Sequence, residues 1–277
     1  MNALSVLQDK LKVGTKVKFL GVVGDGKTYD HLHLHALKIE YGSDLDWLIP
    51  LPGDWHILKN YQEVIMKVYF EAGLKDAAKI IGYTEGVLNS IGSRSKFKRT
   101  HLFLLRAWEA IFRVFLESFV TENQTGSTIS TQIEKVLKQA AGQTTTPNAS
   151  TLISLMLRIC DDEGILKKEF MQYLSKLSAI DATCQLWVKF ILEDCLPYVG
   201  LFISMRSGNW NLRLASLKQM AALFTAYDRT TYQKLIPRHI AELLRAPPEV
   251  LASLQKGGFA VSLTGMTIEF KTEKRIA

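Results

Sequence analysis

The chain has 277 residues, 47% of them apolar and 22% charged, with a formal net charge of +7. That composition is that of a folded globular protein and excludes a disordered chain. No apolar run reaches the ~18 residues that a membrane-crossing helix needs, and residues 1–13 carry mixed charges rather than a cleavable signal pattern, so no membrane partner is expected. The positive balance permits a polyanionic partner. Cys160, Cys184 and Cys195 form no Cys-x-x-Cys pair and read as buried thiols of a reducing compartment, which makes an intracellular location the expectation.

Two short apolar runs near the start each end in a Gly-Asp step. The first is Phe-Leu-Gly-Val-Val-Gly-Asp at 19–25, and the second is Asp-Trp-Leu-Ile-Pro-Leu-Pro-Gly-Asp at 46–54. Both read as strands, and 29–41 between them reads as a helix, which makes residues 1–56 a βαβ unit. Pro50 weakens the second strand, so it is expected to be short or at a sheet edge. Residues 57–256 read almost entirely as helix. Tyr61, Val64, Ile65, Val68 and Leu74 keep a helical period that Gly73 and Gly82 interrupt. The helix expected over 100–119 is apolar on more than one face and should be central. A polar amphipathic helix over 127–141 precedes a Thr-, Gly- and Pro-containing linker at 142–150. Further helices are predicted over 151–160, 166–177, 182–205, 211–227, 230–244 and 248–255, the last with Pro248 in its first turn. Phe259, Val261 and Leu263 then alternate, which predicts a returning strand over 257–265 before a divergent tail at 266–277. The fold class is therefore α/β and predominantly helical, with the helical block inserted into a sheet domain.

A buried parallel strand that ends in Gly-Asp puts a carboxylate at the carboxyl edge of the sheet, where α/β proteins keep their ligands. If the two strands are neighbours, their backbones lie about 4.8 Å apart. Asp25 and Asp54 are then candidate catalytic residues and candidate ligands for one divalent metal, or for two about 4 Å apart. Without a cation, two anions so close would raise the pKa of one of them. The plainer alternative is turn chemistry: Asp-Gly is a turn dipeptide, and either carboxylate can cap the helix that follows. His56 is a candidate third ligand or proton carrier, or else a first-turn residue bonded to backbone. Lys59 and Asn60 follow one turn later, where they can point back at a bound phosphate.

Other patterns are weaker. His31 and His35 would share a helical face, but the glutamate of a zinc-protease helix is missing and a solvated face is the default. Gly-Asp-Gly-Lys-Thr at 24–28 lacks the first glycine of a phosphate loop. The densest basic run is Arg94, Lys96, Lys98 and Arg99, in a Gly- and Ser-containing loop. These four are candidates for a nucleic-acid backbone, with Phe97 placed to stack on a base. A second basic-aromatic stretch at 206–213 joins two helices, and its Trp210 reads as a packing anchor.

Several short strings occur in an order that resembles a known family. They are Val-Gly-Asp-Gly-Lys-Thr-Tyr at 23–29, Leu-Pro-Gly-Asp-Trp-His at 51–56 and Leu-Lys-Asn-Tyr-Gln at 58–62. Further along come Lys-Arg-Thr-His at 98–101 with Ala-Trp-Glu at 107–109, and Arg-Ser-Gly-Asn-Trp at 206–210 with Arg213. Thr-Ala-Tyr-Asp at 225–228, Tyr232, Pro237 and Gly-Gly-Phe-Ala-Val-Ser at 257–262 complete the set. The chain resembles a family of animal proteins of transposon origin that is classed as a domain of unknown function. The resemblance implies an RNase H-like transposase or integrase core, a partial parallel sheet carrying a large all-α insertion. It further implies DNA as the partner, Mg²⁺ or Mn²⁺ as cofactor, and a nuclear location. Against that pattern the chain looks truncated at both ends. An RNase H-like nuclease uses three or four acidic residues, and only Asp25 and Asp54 are nominated here, so no nuclease activity is expected of the chain alone. The alternative is a non-catalytic helical module that binds DNA or protein, with both aspartates as caps.

Overall fold

Leu20–Gly24 (β1) and Leu48–Pro52 (β2) pair in parallel, Leu20 opposite Leu48 and Gly24 opposite Pro52. Gly26–His33 (α2) leads away from β1, and Asp54–Tyr69 (α3) leaves β2, so the strand–helix–strand order is present. The computed structural model describes residues 2–33, 45–93, 96–122 and 165–260. The helix expected over 29–41 therefore starts earlier, at Gly26, and its second half lies outside the described residues. The same holds for the elements expected at 127–141, 142–150 and 151–160.

The chain divides into two compact units, Met1–Val64 with Gly200–Ala277, and Ile65–Val199. The sheet unit thus extends well beyond residues 1–56. It contains Asn2–Leu11 (α1) and, from the far end of the sequence, Trp210–Ala226 (α10), Thr230–Leu243 (α11) and Pro248–Ser253 (α12). The sheet explains this recruitment. Leu20, Val22 and Leu48 face a cluster with Val13, Leu32, Leu45 and Trp47. Ile49 and Leu51, on the opposite face, pack with Trp210, Leu243, Val250 and Leu254. A strand pair with apolar residues on both faces needs a helical layer on each, and α10–α12 supply the second.

The prolines of β2 sit where they cost no ladder bond. Leu20 N–H donates to Trp47 O at 2.8 Å and Gly53 N–H to Gly24 O at 2.7 Å, so the odd-numbered residues of β2 face β1. Pro50 and Pro52 turn their nitrogens away from β1, as the alternation of a parallel strand requires. Both glycines of the Gly-Asp steps are needed for the close meeting of the strand ends. A β-carbon at Gly24 would sit 2.8 Å from Thr28, and one at Gly53 would sit 3.1 Å from Gly24 O.

In the second unit the helix expected over 100–119 runs from Phe97 to Glu122 (α6). Phe103, Leu104, Trp108, Phe112, Phe115, Leu116 and Phe119 are buried. Ile165–Ile180 (α7) brings Phe170 and Tyr173 against its far end. Lys75–Ile80 (α4) and Glu85–Gly92 (α5) precede it, and Gly73 (φ 138°) and Gly82 (φ 87°) break the helix path as their sequence positions predicted. Ala182–Lys189 (α8) and Leu196–Ser207 (α9) are separated by a π-helical turn, Phe190–Asp194. That turn frees the Ile191 carbonyl, which accepts from Trp108 Nε1–H at 2.8 Å. Tyr69 O–H donates to the buried Asp194 at 2.6 Å. Cys195 is buried, and desolvation first, then the Asp194 charge, pushes its thiol well up.

The strand expected over 257–265 does not begin at 257. Leu254–Gly258 carries the helical path of α12 to a kink at Gly257, whose φ of 94° is a conformation glycine alone adopts cheaply, and residues 261–265 and 266–277 lie outside the described residues. Among the described residues the architecture is α/β and predominantly helical around a two-stranded parallel sheet, and no helix is long and apolar enough to cross a membrane.

Trp108 should be the anchor of the second unit. Replacing it with Ala is expected to cost about 3–5 kcal/mol. Trp108→Phe keeps most of the apolar volume but orphans the Ile191 carbonyl, for about 1–3 kcal/mol. Urea denaturation midpoints check both; a wild-type midpoint for Trp108→Phe would remove the hydrogen bond from the account.

Candidate functional site

The two Gly-Asp steps lie side by side at the carboxyl edge of the sheet, yet their carboxylates have different roles. Asp25 caps α2: its Oδ1 accepts from Thr28 N–H at 2.7 Å. That backbone hydrogen bond is the main reason its carboxyl lies below the ordinary value of 3.8, with smaller contributions from the nearby His56 and Lys27 charges. Asp54 opens α3 and is 8% exposed. Its Oδ2 accepts from Arg213 Nε and its Oδ1 from Arg213 Nη2, both at 2.8 Å. This is a bidentate, charge-assisted pair.

Arg213 is itself 2% exposed and lies between aromatic rings, 5.5 Å from Trp210 and 5.3 Å from Phe259. Its Nη1 lies 3.2 Å from Nε2 of the buried His239. A guanidinium only donates, so Nε2 accepts and the imidazole proton is on Nδ1. Tyr29 meets the His239 ring edge-on at 6.3 Å, and its hydroxyl donates to Glu242 at 2.8 Å. Burial, followed by the Glu242 charge, raises the Tyr29 hydroxyl far above its usual range.

Around Asp25 a second group assembles. Asn60 Nδ2 donates to the His56 carbonyl and to the Tyr232 hydroxyl, both at 2.9 Å. Gly26 N–H also bonds Tyr232, and burial pushes that phenol up to about 12. The His56 side chain is half-buried, and its backbone N–H donates to Gly53 O at 2.9 Å, the ordinary first-turn bond. Asn60 is thus taken by protein groups, while Lys59 is exposed and lies 5.6 Å over the Trp55 ring.

The structure brings Asp25 and His56 close enough to interact and places Asp54 in the neighbouring strand-end position, facing Arg213. Asp54 is not presented to solvent as a metal ligand. Among the described residues, no group of three or more His, Cys, Asp and Glu side chains could hold a metal ion. The basic run belongs to the other unit. Lys96, Lys98 and Arg99 are exposed, and Arg94 lies outside the described residues. Phe97 stacks on His101 at 5.5 Å, and His101 Nδ1 meets the Tyr198 hydroxyl at 2.6 Å. One face of Phe97 is therefore engaged within the protein. His31 is exposed, and His35 lies outside the described residues.

Arg213, His239 and Tyr232 were not singled out as site residues from sequence. All three lie on the buried stripes of their helices. The buried stripe of α10 is Trp210, Arg213, Ser216, Leu217, Met220 and Phe224, and that of α11 is Tyr232, Leu235, Ile236, His239 and Leu243. An arginine at a core position of a helix demands a buried anion. The periodicity shows the demand but not which carboxylate meets it.

The cap at Asp25 has a pH signature. Asp25→Ala is expected to cost about 1 kcal/mol at neutral pH. Because the folded carboxyl titrates below 3.8, its contribution is present above that value and is lost as the pH falls through the folded pKa. The stability gap between wild type and Asp25→Ala, followed by thermal melts at descending pH, should close in acid. A gap independent of pH would contradict the capping role.

No curated protein matches the chain, and no solved structure does. A family profile with the description Domain of unknown function (DUF8702) matches residues 26–262. The match begins just after Asp25 and takes in the Gly53-Asp54 step, the basic run and the whole of α10 and α11. The chain belongs to the DUF8702 family.

Proposed function

We propose that the chain is a DNA-binding core of RNase H-like, transposon-derived ancestry, acting in the nucleus, in which the strand-end aspartates serve the fold and not phosphodiester chemistry. The observation that carries this reading is the engagement of both Asp54 oxygens by Arg213. A two-metal nuclease needs carboxylates converging on shared ions about 4 Å apart. Here one of the two nominated carboxylates is neutralised by a buried guanidinium and the other caps a helix. His56, beside Asp25, adds a single further donor. This donor set does not fit a Mg²⁺ or Mn²⁺ pair.

Ancestry is supported by the parallel strand–helix–strand unit with a carboxylate after each strand. DNA as partner is supported by the net charge of +7 and by the exposed Lys96, Lys98 and Arg99 at the start of α6. Cations at a helix N-terminus are unfavourably placed with respect to the helix dipole, so their clustering there is better explained by an external anion than by helix stability.

Two assays test this reading. Supercoiled plasmid incubated with the chain and Mg²⁺ or Mn²⁺ is expected to stay intact; nicking that disappears in Asp25→Asn would overturn the non-catalytic assignment. Binding to a labelled DNA duplex is expected to weaken steeply with salt. Replacing Lys96, Lys98 and Arg99 together with Ala should make the log–log salt slope shallower by about 0.9 for each phosphate that is no longer neutralised. A slope that the triple replacement leaves unchanged would remove this run from the interface.

A further inference from the structure

Lys10, Lys12, Lys16 and Lys18 fall close together in the first part of the sheet unit. Lys18 is matched by Glu249, 2.6 Å away. Lys10, Lys12 and Lys16 are exposed and have no ion-pair partner among the described residues. The backbone that carries them is fixed on both sides. Where α1 stops, Val13 N–H donates to Gln8 O at 3.0 Å and Lys12 N–H to Asp9 O at 3.3 Å, the paired bonds of a Schellman cap. Val13 is buried in the apolar cluster of Leu32, Leu45 and Trp47. Beyond it, Gly14 N–H donates to Val17 O at 2.7 Å and Lys16 N–H to Lys12 O at 2.9 Å, so the chain folds straight back to Lys12. The cap position holds a residue type that costs stability. Lys12 has φ 51°, the left-handed conformation for which such caps favour glycine. Asp228, the other non-glycine residue at positive φ among those described, belongs to a type that tolerates it. The dipole of α1 favours a cation near this terminus, but by less than a left-handed non-glycine residue costs.

We propose that this turn is a second contact to the DNA backbone, made by the sheet unit, in which Lys10, Lys12 and Lys16 meet phosphates of a duplex. The inference rests on the DNA-binding reading above and adds to it a set of cations separate from Lys96, Lys98 and Arg99. A duplex carries one phosphate charge per ~1.7 Å of its axis, so a compact group of ammonium ions finds anions on any sequence. Such a contact positions the protein and reads no bases. A turn already held by its own hydrogen bonds has little backbone freedom left to lose on binding. An external anion also explains why a lysine stands where glycine would serve the fold better.

The test titrates the full chain with a labelled duplex over a range of salt, and with phosphatidylserine vesicles alongside. Replacing Lys10, Lys12 and Lys16 together with Gln should make the log–log salt slope for the duplex shallower by about 0.9 for each phosphate that is no longer neutralised. A retained urea transition shows that the variant is folded. Lys12→Gly separates binding from stability. Relief of the left-handed lysine should raise its urea midpoint, while its salt slope becomes shallower by about 0.9. A lowered midpoint with an unchanged slope would leave Lys12 a purely structural role and remove it from the contact. If the triple replacement keeps the wild-type slope while replacement of Lys96, Lys98 and Arg99 changes it, the turn is overturned and the DNA reading stands. A loss confined to vesicle binding would assign the turn to a lipid surface and overturn the DNA contact. If the wild-type chain binds no duplex, both fall.

Discussion

The buried pair between Asp54 and Arg213 is the constraint around which the sheet unit is arranged. Removing a carboxylate and a guanidinium from water costs several kcal/mol per ion, and the loss is offset only by near-ideal geometry and further partners. Both requirements are met. The pair is bidentate, the remaining guanidinium N–H direction reaches His239, and Trp210 and Phe259 flank the cation. The consequence is topological: the corner where β2 becomes α3 is fastened to α10 and α11, elements that follow it by more than a hundred and fifty positions in sequence. The return of the chain to the sheet after the long helical stretch is secured here by charge and on the β2 face by apolar packing around Leu51.

Two nearly identical Gly-Asp steps thus have separate roles. At Gly24-Asp25 the chain enters the short α2, and the carboxylate satisfies a free N–H in its first turn. At Gly53-Asp54 it enters the long α3 beneath α10, where a guanidinium waits. The glycines serve the same purpose in both, allowing strand ends and first helical turns to approach more closely than a β-carbon permits. The carboxylates differ because their surroundings do, one half-exposed beside His56 and Lys27 and the other enclosed.

Local order was legible wherever one residue type decides a local geometry. The helical stripe from Tyr61 onward, the breaks at Gly73 and Gly82, the first-turn Pro248 and the apolar α6 follow from spacing and backbone freedom. The position of Pro50 was legible too: among the described residues β2 pairs only with β1, and a missing N–H can be placed only where no ladder bond is required. Partner identity was not. Arg213 was visible as one cation in a basic-aromatic stretch, and Asp54 as an anion after a strand, but the pairing of two residues so distant is a property of the packed fold. The strand expected over 257–265 does not start at Gly257 for a local reason, since Gly257 has the positive φ of a helix end and lies against Gly208. The division of the helices between two units depends on which of them cover the sheet, and a hydrophobic period is the same for both destinations.

A double-mutant cycle between Asp54 and Arg213 tests the central claim most directly. Asp54→Asn, Arg213→Leu and the double variant would be compared by chemical denaturation in the presence and absence of Mg²⁺. Each single change is expected to cost about 3–5 kcal/mol, because it leaves the other charge buried without its partner. The double variant should lose far less than their sum, and Mg²⁺ should not shift the wild-type midpoint. A wild-type stability for Asp54→Asn, together with Mg²⁺ stabilisation that this variant abolishes, would contradict the structural role of Asp54 and restore it as a metal ligand.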